Sequence, residues 1–121
     1  MKKIVLVLVL VFTAASLFAA PIPLGEFPTG RWLDNNYDAI WEFTYNNIRI
    51  VSPSGFVYYD FSAKTVENFR FSYDGDNPRI TFSCPEAGRT YRFTIIRPEN
   101  NALMDIDRPN QERYTVNMRR Q

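Results

Sequence analysis

From Gly30 onward the chain consists of short segments in which apolar and polar residues alternate, and many positions on the apolar parity are aromatic. Successive side chains of a strand point to opposite faces, so a period of two describes strands buried on one face and wet on the other. Candidate strands are Gly30 to Leu33, Ala39 to Tyr45, Ile48 to Ser52, Phe56 to Phe61, Asn68 to Tyr73, Arg79 to Cys84, Thr90 to Ile96, Ala102 to Ile106 and Arg113 to Met118. Each has the ~4 to 7 residues usual for a half-buried strand. Turn formers separate them: Asn46-Asn47, Pro53-Ser54-Gly55, Asp74-Gly75-Asp76-Asn77, Pro85-Glu86-Ala87-Gly88, Pro98-Glu99-Asn100-Asn101 and Pro109-Asn110. Asn-Asn tolerates positive φ in a two-residue hairpin, and the Pro/Gly/Asp clusters reverse the chain tightly. Neighbours in sequence should therefore be neighbours in the sheet. The expected fold is all-β, a small antiparallel meander β-barrel of about eight short strands. One gap, Ser62 to Glu67, leaves Ala63-Lys64-Thr65-Val66 room for a single helical turn.

Parity names the inside: Trp41, Phe43 and Tyr45; Ile48 and Ile50; Phe69, Phe71 and Tyr73; Ile80, Phe82 and Cys84; Tyr91, Phe93 and Ile95; Met104 and Ile106; Tyr114, Val116 and Met118. A barrel of eight strands is just wide enough inside for side chains or one small ligand. Aromatics this dense mostly fill it, which directs any ligand to a shallow pocket at one mouth. Candidate ligand-binding residues are Trp41, Phe43, Tyr58, Phe69 and Tyr91, and the same side chains serve equally well as a plain core. Phe56 to Phe61 is apolar on both faces. Its outside is expected to be covered by the preceding arm or the helical turn, the alternative being an apolar patch open to a partner.

The first residues stand apart. Met1-Lys2-Lys3 is a positive n-region, and Ile4 to Phe18 is an apolar run ending in small residues, the pattern of an export signal. Cleavage after Ala19 is expected, because cutting after Ala20 would place Pro21 just past the scissile bond; an uncleaved membrane anchor is the alternative. The expected layout is a signal peptide over 1–19, an extended arm over 20–29 and the barrel over 30–121. Localisation would then be periplasmic or secreted, with no stable membrane insertion once the signal is removed.

What remains is one domain of roughly 100 residues, near the lower size limit for a single core without staples. Loss of Lys2 and Lys3 changes 14 cations against 13 anions into 12 against 13, so a nucleic-acid partner is not indicated. Histidine is absent, which rules out Ser-His catalysis and histidine-bound zinc. Cys84 is the single cysteine, so no disulfide can form within the chain, and its parity makes it a small buried hydrophobe. The fold must hold by packing.

Eleven of the twelve cations after the signal are arginine. Pairing strands through their turns places Arg70, Thr81 and Arg92 in one outward row, with Arg79 diagonal to it, a candidate anion-binding set. Continuing the pairing sets Asp107 between Arg92 and Arg113, and Asp105 between Thr94 and Thr115, so the row is partly self-neutralised and also reads as an ordinary solvated face. Asp74-Gly75-Asp76-Asn77 carries a DxD fragment, but Pro78 and the missing downstream glutamate break a calcium loop, and no metal or other cofactor is expected. Glu42 and Asp60 are the one candidate acid pair, and nothing in the sequence sets their separation. No enzymatic activity is expected.

Gly30-Arg31-Trp32 opening the first strand, then Trp41-Glu42-Phe43, the meander Phe71 to Asp76, Arg79 to Phe82, Tyr91 to Phe93, and the closing Tyr114 to Val116 together resemble the GxW start and strand run of small bacterial lipocalin-like, calycin-type barrels. The resemblance implies that Trp32 plugs the closed end and that Arg120, on the last strand, packs across it, Gly30 belonging to the same motif. It implies binding rather than catalysis: an exported module taking a small apolar ligand or an envelope protein at the mouth or outer face. The alternative is an interaction or inhibitor protein acting through its N-terminal arm.

Overall fold

The computed structural model describes residue 22, residues 24–96 and residues 100–121; the segment expected to be an export signal, Pro21 and the Pro98-Glu99 part of one expected turn lie outside them. Alternation becomes strand almost wherever it occurs: β1 (Gly30–Asp34), β2 (Ala39–Thr44), β3 (Asn47–Val51), β4 (Val57–Asp60), β5 (Glu67–Asp74), β6 (Asn77–Cys84), β7 (Arg89–Ile96), β8 (Asn101–Asp107) and β9 (Tyr114–Arg120). The helical turn comes two residues early, as a single 3-10 turn over Phe61–Ala63 that the Asp60 carboxylate caps by accepting from the Ser62 amide.

All nine strands form one antiparallel sheet in the order β4-β3-β2-β1-β9-β8-β7-β6-β5, curled so that its inner face is the core. β1 pairs with β9, Trp32 opposite Arg120, which joins the two ends of the meander. An odd number of strands alternating in direction leaves the outermost two, β4 and β5, running the same way, and no hairpin can close them. Side chains bridge that seam instead. The Tyr59 hydroxyl lies 3.5 Å from Cys84 Sγ, and the Phe61 ring meets Phe82 and Tyr91 edge-on, each at 5.3 Å. Cys84 is fully buried.

Two expectations about covering are corrected. The segment 20–29 does not extend as an arm: its described part turns over Gly25–Phe27 and buries Ile22, Leu24 and Phe27. The Ile22 amide donates to the Asn46 carbonyl, and the Phe27 ring packs 5.7 Å from Phe43 and Phe71 and 6.0 Å from Phe93. Three large apolar groups gain more in the open end of a barrel than in water. Because the segment is spent there, it does not cover β4, and Phe56, Val57 and Tyr58 stand 69%, 40% and 51% exposed.

The β7–β8 register also differs. Arg92 faces Asp105 rather than Asp107, and Thr94 faces Leu103. A shift of two residues keeps every side chain on its face, so parity could not distinguish the two pairings. Elsewhere the outer row is as expected: Arg70 opposite Thr81, Thr81 opposite Arg92, and Arg113 ion-paired to Asp107 at 2.6 Å. Tyr45 and Tyr73, given an inward parity, sit at strand ends and are exposed.

Candidate functional site

The capped end is closed twice over. Trp32 packs on the same Phe93 ring as Phe27; it is fully buried, its ring edge-on to Phe93 at 5.6 Å. The Arg120 guanidinium sits 5.8 Å from the Trp32 ring centroid, with Nη2 3.5 Å from the Thr29 carbonyl. Gly30 lies against both, since a Cβ there would come 3.5 Å from Trp32 Nε1 and Arg120 Nη2.

The other end stays open. The β1–β2 turn, the starts of β7 and β9 and the end of β8 surround a cavity of about 260 Å³, floored by Trp41, Ile50 and Tyr91 and rimmed by Asp34, Tyr37, Arg89, Arg108 and Tyr114. At ~30 Å³ per water that is room for roughly nine waters, and it falls just under the ~300 to 1,000 Å³ of ordinary ligand pockets. A lipid-length chain does not fit such a space; a compact molecule does.

Asp34 organises the rim. The residue is 4% exposed. Its Oδ1 accepts from the Asn36 amide at 2.9 Å, a local turn bond of the kind aspartate favours, and its Oδ2 accepts from the Tyr114 hydroxyl at 2.9 Å. Asn36 Nδ2 in turn donates to the Tyr114 oxygen at 3.0 Å. Tyr37 tilts against Tyr114 with ring centroids 5.5 Å apart. Burial, with the Asp34 carboxylate adding to it, pushes the Tyr114 phenol up to about 12, so it stays a donor at neutral pH. Burial raises Tyr91 as well, against the opposing pull of Arg89.

A phenol raised in the fold above the ~10 of the unfolded chain contributes stability that is complete below pH ~10 and is lost as pH climbs through the folded value. The urea midpoint should therefore hold steady from pH 7 to 9.5 and fall between pH 10 and 12. Tyr114→Phe, lacking the titrating group, should show a shallower fall. A midpoint flat to pH 12 would contradict the assigned environment of Tyr114.

The residues singled out from sequence do not form one site. Trp41 and Tyr91 meet in the mouth, their rings 5.4 Å apart edge-on. Phe43 is buried deeper, stacked on Phe93 at 4.5 Å. Phe69 stacks on Phe82 at 6.2 Å, away from the cavity lining. Tyr58 points outward and is 51% exposed, as the neighbour of inward-facing Tyr59, and the register shift from Ile50–Tyr59 to Val51–Val57 leaves it unpaired in the ladder. Arg70, Arg79 and Arg92 lie on the convex outer face, where Arg79 is bound to Asp74 at 3.0 Å and to Thr94 at 2.9 Å. The suspected acid pair is not one: Arg49 stands opposite both Glu42 and Asp60 in the sheet and bonds Glu42. Among the described residues no three of His, Cys, Asp or Glu gather as metal ligands do.

Asp34, Tyr37, Arg89 and Arg108 escaped the sequence reading because they are turn and strand-end residues, where parity carries no weight; Tyr114 was given an inward parity but no place in a site. A usable signal was present: the meander puts the turns after β1, β6 and β8 at one end of the barrel, and aromatic or arginine residues flank each of them. Compared with protein-family models, with curated proteins and with solved structures, the chain finds no match.

Proposed function

We propose that this chain is an exported, non-enzymatic binding module of lipocalin-like form that takes one small, largely apolar ligand at the barrel mouth. The observation that carries the reading is the contrast between the two ends. One is sealed by Ile22, Leu24, Phe27 and the Trp32–Arg120 stack, while the other keeps an aromatic-floored cavity ringed by polar groups. A packed floor with a few convergent polar groups is the usual form of a ligand site. Trp32 buried under Arg120 is what the lipocalin resemblance asks of the closed end, and the apolar run Ile4 to Phe18 behind Lys2-Lys3 supports export. The exposed run Phe56 to Tyr58 supports a second reading, contact with an envelope protein on the outer face. The arm reading loses its support, since the apolar side chains an arm would offer are buried.

The test is amide chemical-shift mapping of the mature domain titrated with 3-phenylpropanamide, a neutral compact probe. Saturable shifts should cluster at Ala39, Ile50 and Ile106. Shifts confined to Phe56–Tyr59, or none at all, would overturn the mouth as the site.

A further inference from the structure

We infer that the mouth takes a small organic monocarboxylate, its apolar body against Trp41 and Ile50 and its charge held by Arg89 and Arg108. The inference rests on the binding reading above and narrows it to one ligand class.

The charge inventory of the rim leads there. Among the described residues Asp34 is the one carboxylate lining the cavity, and both its oxygens already accept hydrogen bonds, from Tyr114 and from the Asn36 amide. Against it stand two guanidiniums that form no ion pair among the described residues, whereas Arg49, Arg79 and Arg113 are each tied to an acid on the outer face. Arg70 is likewise without an ion pair there, but it lies on the convex surface with no apolar floor beside it.

Arg108 is also oriented in advance. Its Nε and Nη2 donate to the Glu112 carbonyl at 3.3 and 2.8 Å, and its guanidinium lies 5.8 Å from the Tyr114 ring centroid. A guanidinium carries five N–H groups in a rigid fork, so two spent on Glu112 leave the Nη1 side for a ligand. Arg89 reaches the cavity from the neighbouring strand, one residue beyond the Thr90–Asp107 pair that joins β7 to β8 and close to the Tyr91 hydroxyl. An amine would meet two like charges and one buried carboxylate, each of whose oxygens already accepts a hydrogen bond. A carboxylate would meet charged donors beside an apolar wall, where charge-assisted bonds are strongest.

Isothermal titration at neutral pH with 3-phenylpropanoate, 3-phenylpropanamide and 3-phenylpropylamine tests this. The carboxylate should bind at least about tenfold more tightly than the amide. Arg89→Gln, at an exposed position, should remove most of that preference by lowering carboxylate affinity far more than amide affinity, and Arg108→Gln should do the same where its thermal melt matches wild type. Equal binding of carboxylate and amide, or a preference that survives Arg89→Gln, would overturn the anion assignment and leave the binding reading standing. Tightest binding by the amine would overturn it in favour of Asp34. If none of the three binds, both readings fall.

Discussion

Phe61→Ala should cost roughly 3 to 5 kcal/mol, the range for removing a fully buried phenylalanine, and should be the most damaging single truncation in the chain. Phe61 is completely buried and sits where the sheet fails to close. Its ring lies 4.9 Å from Tyr59, 5.3 Å from both Phe82 and Tyr91, and 5.6 Å from Trp41. Tyr59 and Trp41 come from β4 and β2 on one side of the break, Phe82 and Tyr91 from β6 and β7 on the other. No backbone ladder crosses between β4 and β5, so this ring carries cohesion that hydrogen bonds supply elsewhere. The cavity left would face the floor of the mouth, and the neighbours are held by their own strands and cannot collapse into it. Domains of this size have ~5 to 15 kcal/mol in all, and the variant should melt at far lower urea with the Trp41 environment altered. A loss under about 1.5 kcal/mol would mean that the seam is closed by something other than this cluster.

Phe27→Ala should cost ~3 kcal/mol or more by the same rule, although the residue lies in a segment with no helix or strand. Its ring is inserted between Phe43, Phe71 and Phe93, from β2, β5 and β7. The segment is also anchored by the burial of Ile22 and Leu24, by the bond from the Ile22 amide to Asn46 and by Arg120 on the Thr29 carbonyl. Removing the ring should release the whole segment, so hydrogen exchange should quicken at Ile22 and at the interior amides of β2 and β7 near that end. Unchanged exchange and an unchanged urea midpoint would show the segment to be a passive lead-in. The consequence for function is practical: deleting residues 20–29 cannot test whether they reach a partner, because the deletion also opens the core.

Much of the fold was legible residue by residue. Ile80-Thr81-Phe82-Ser83-Cys84 alternates without a break and is a strand buried at every second position. Asp74-Gly75-Asp76-Asn77 turns where its chemistry says it should, whereas the β2–β3 hairpin turns over Tyr45-Asn46, one residue before the expected Asn46-Asn47, with Asn47 already paired to Thr44. The site was legible only at its floor, since Trp41 and Tyr91 lie inside strands and obey parity. Tyr58 was misplaced because Phe56 to Phe61 carries large apolar groups on both faces, so alternation there could not say which face is inside. Arg92 was assigned the wrong aspartate because a slip of two residues conserves faces. Phe27 looked like lead-in because its neighbours have no periodicity, and its partners lie far along the chain.

By itself the sequence determined the strands, their order of pairing through tight turns, the aromatic character of the core and the absence of histidine or disulfide chemistry. Those properties depend on side-chain alternation and turn preference over a few residues, or on composition alone. Tertiary structure alone decided where the sheet breaks, which end is sealed and which end stays open. Each of those follows from an odd count of antiparallel strands and from contacts between residues distant in the chain, Phe27 with Phe93 and Asp34 with Tyr114. Local patterning cannot register such contacts, because their free energy exists only once the sheet has curled and brought both partners out of water.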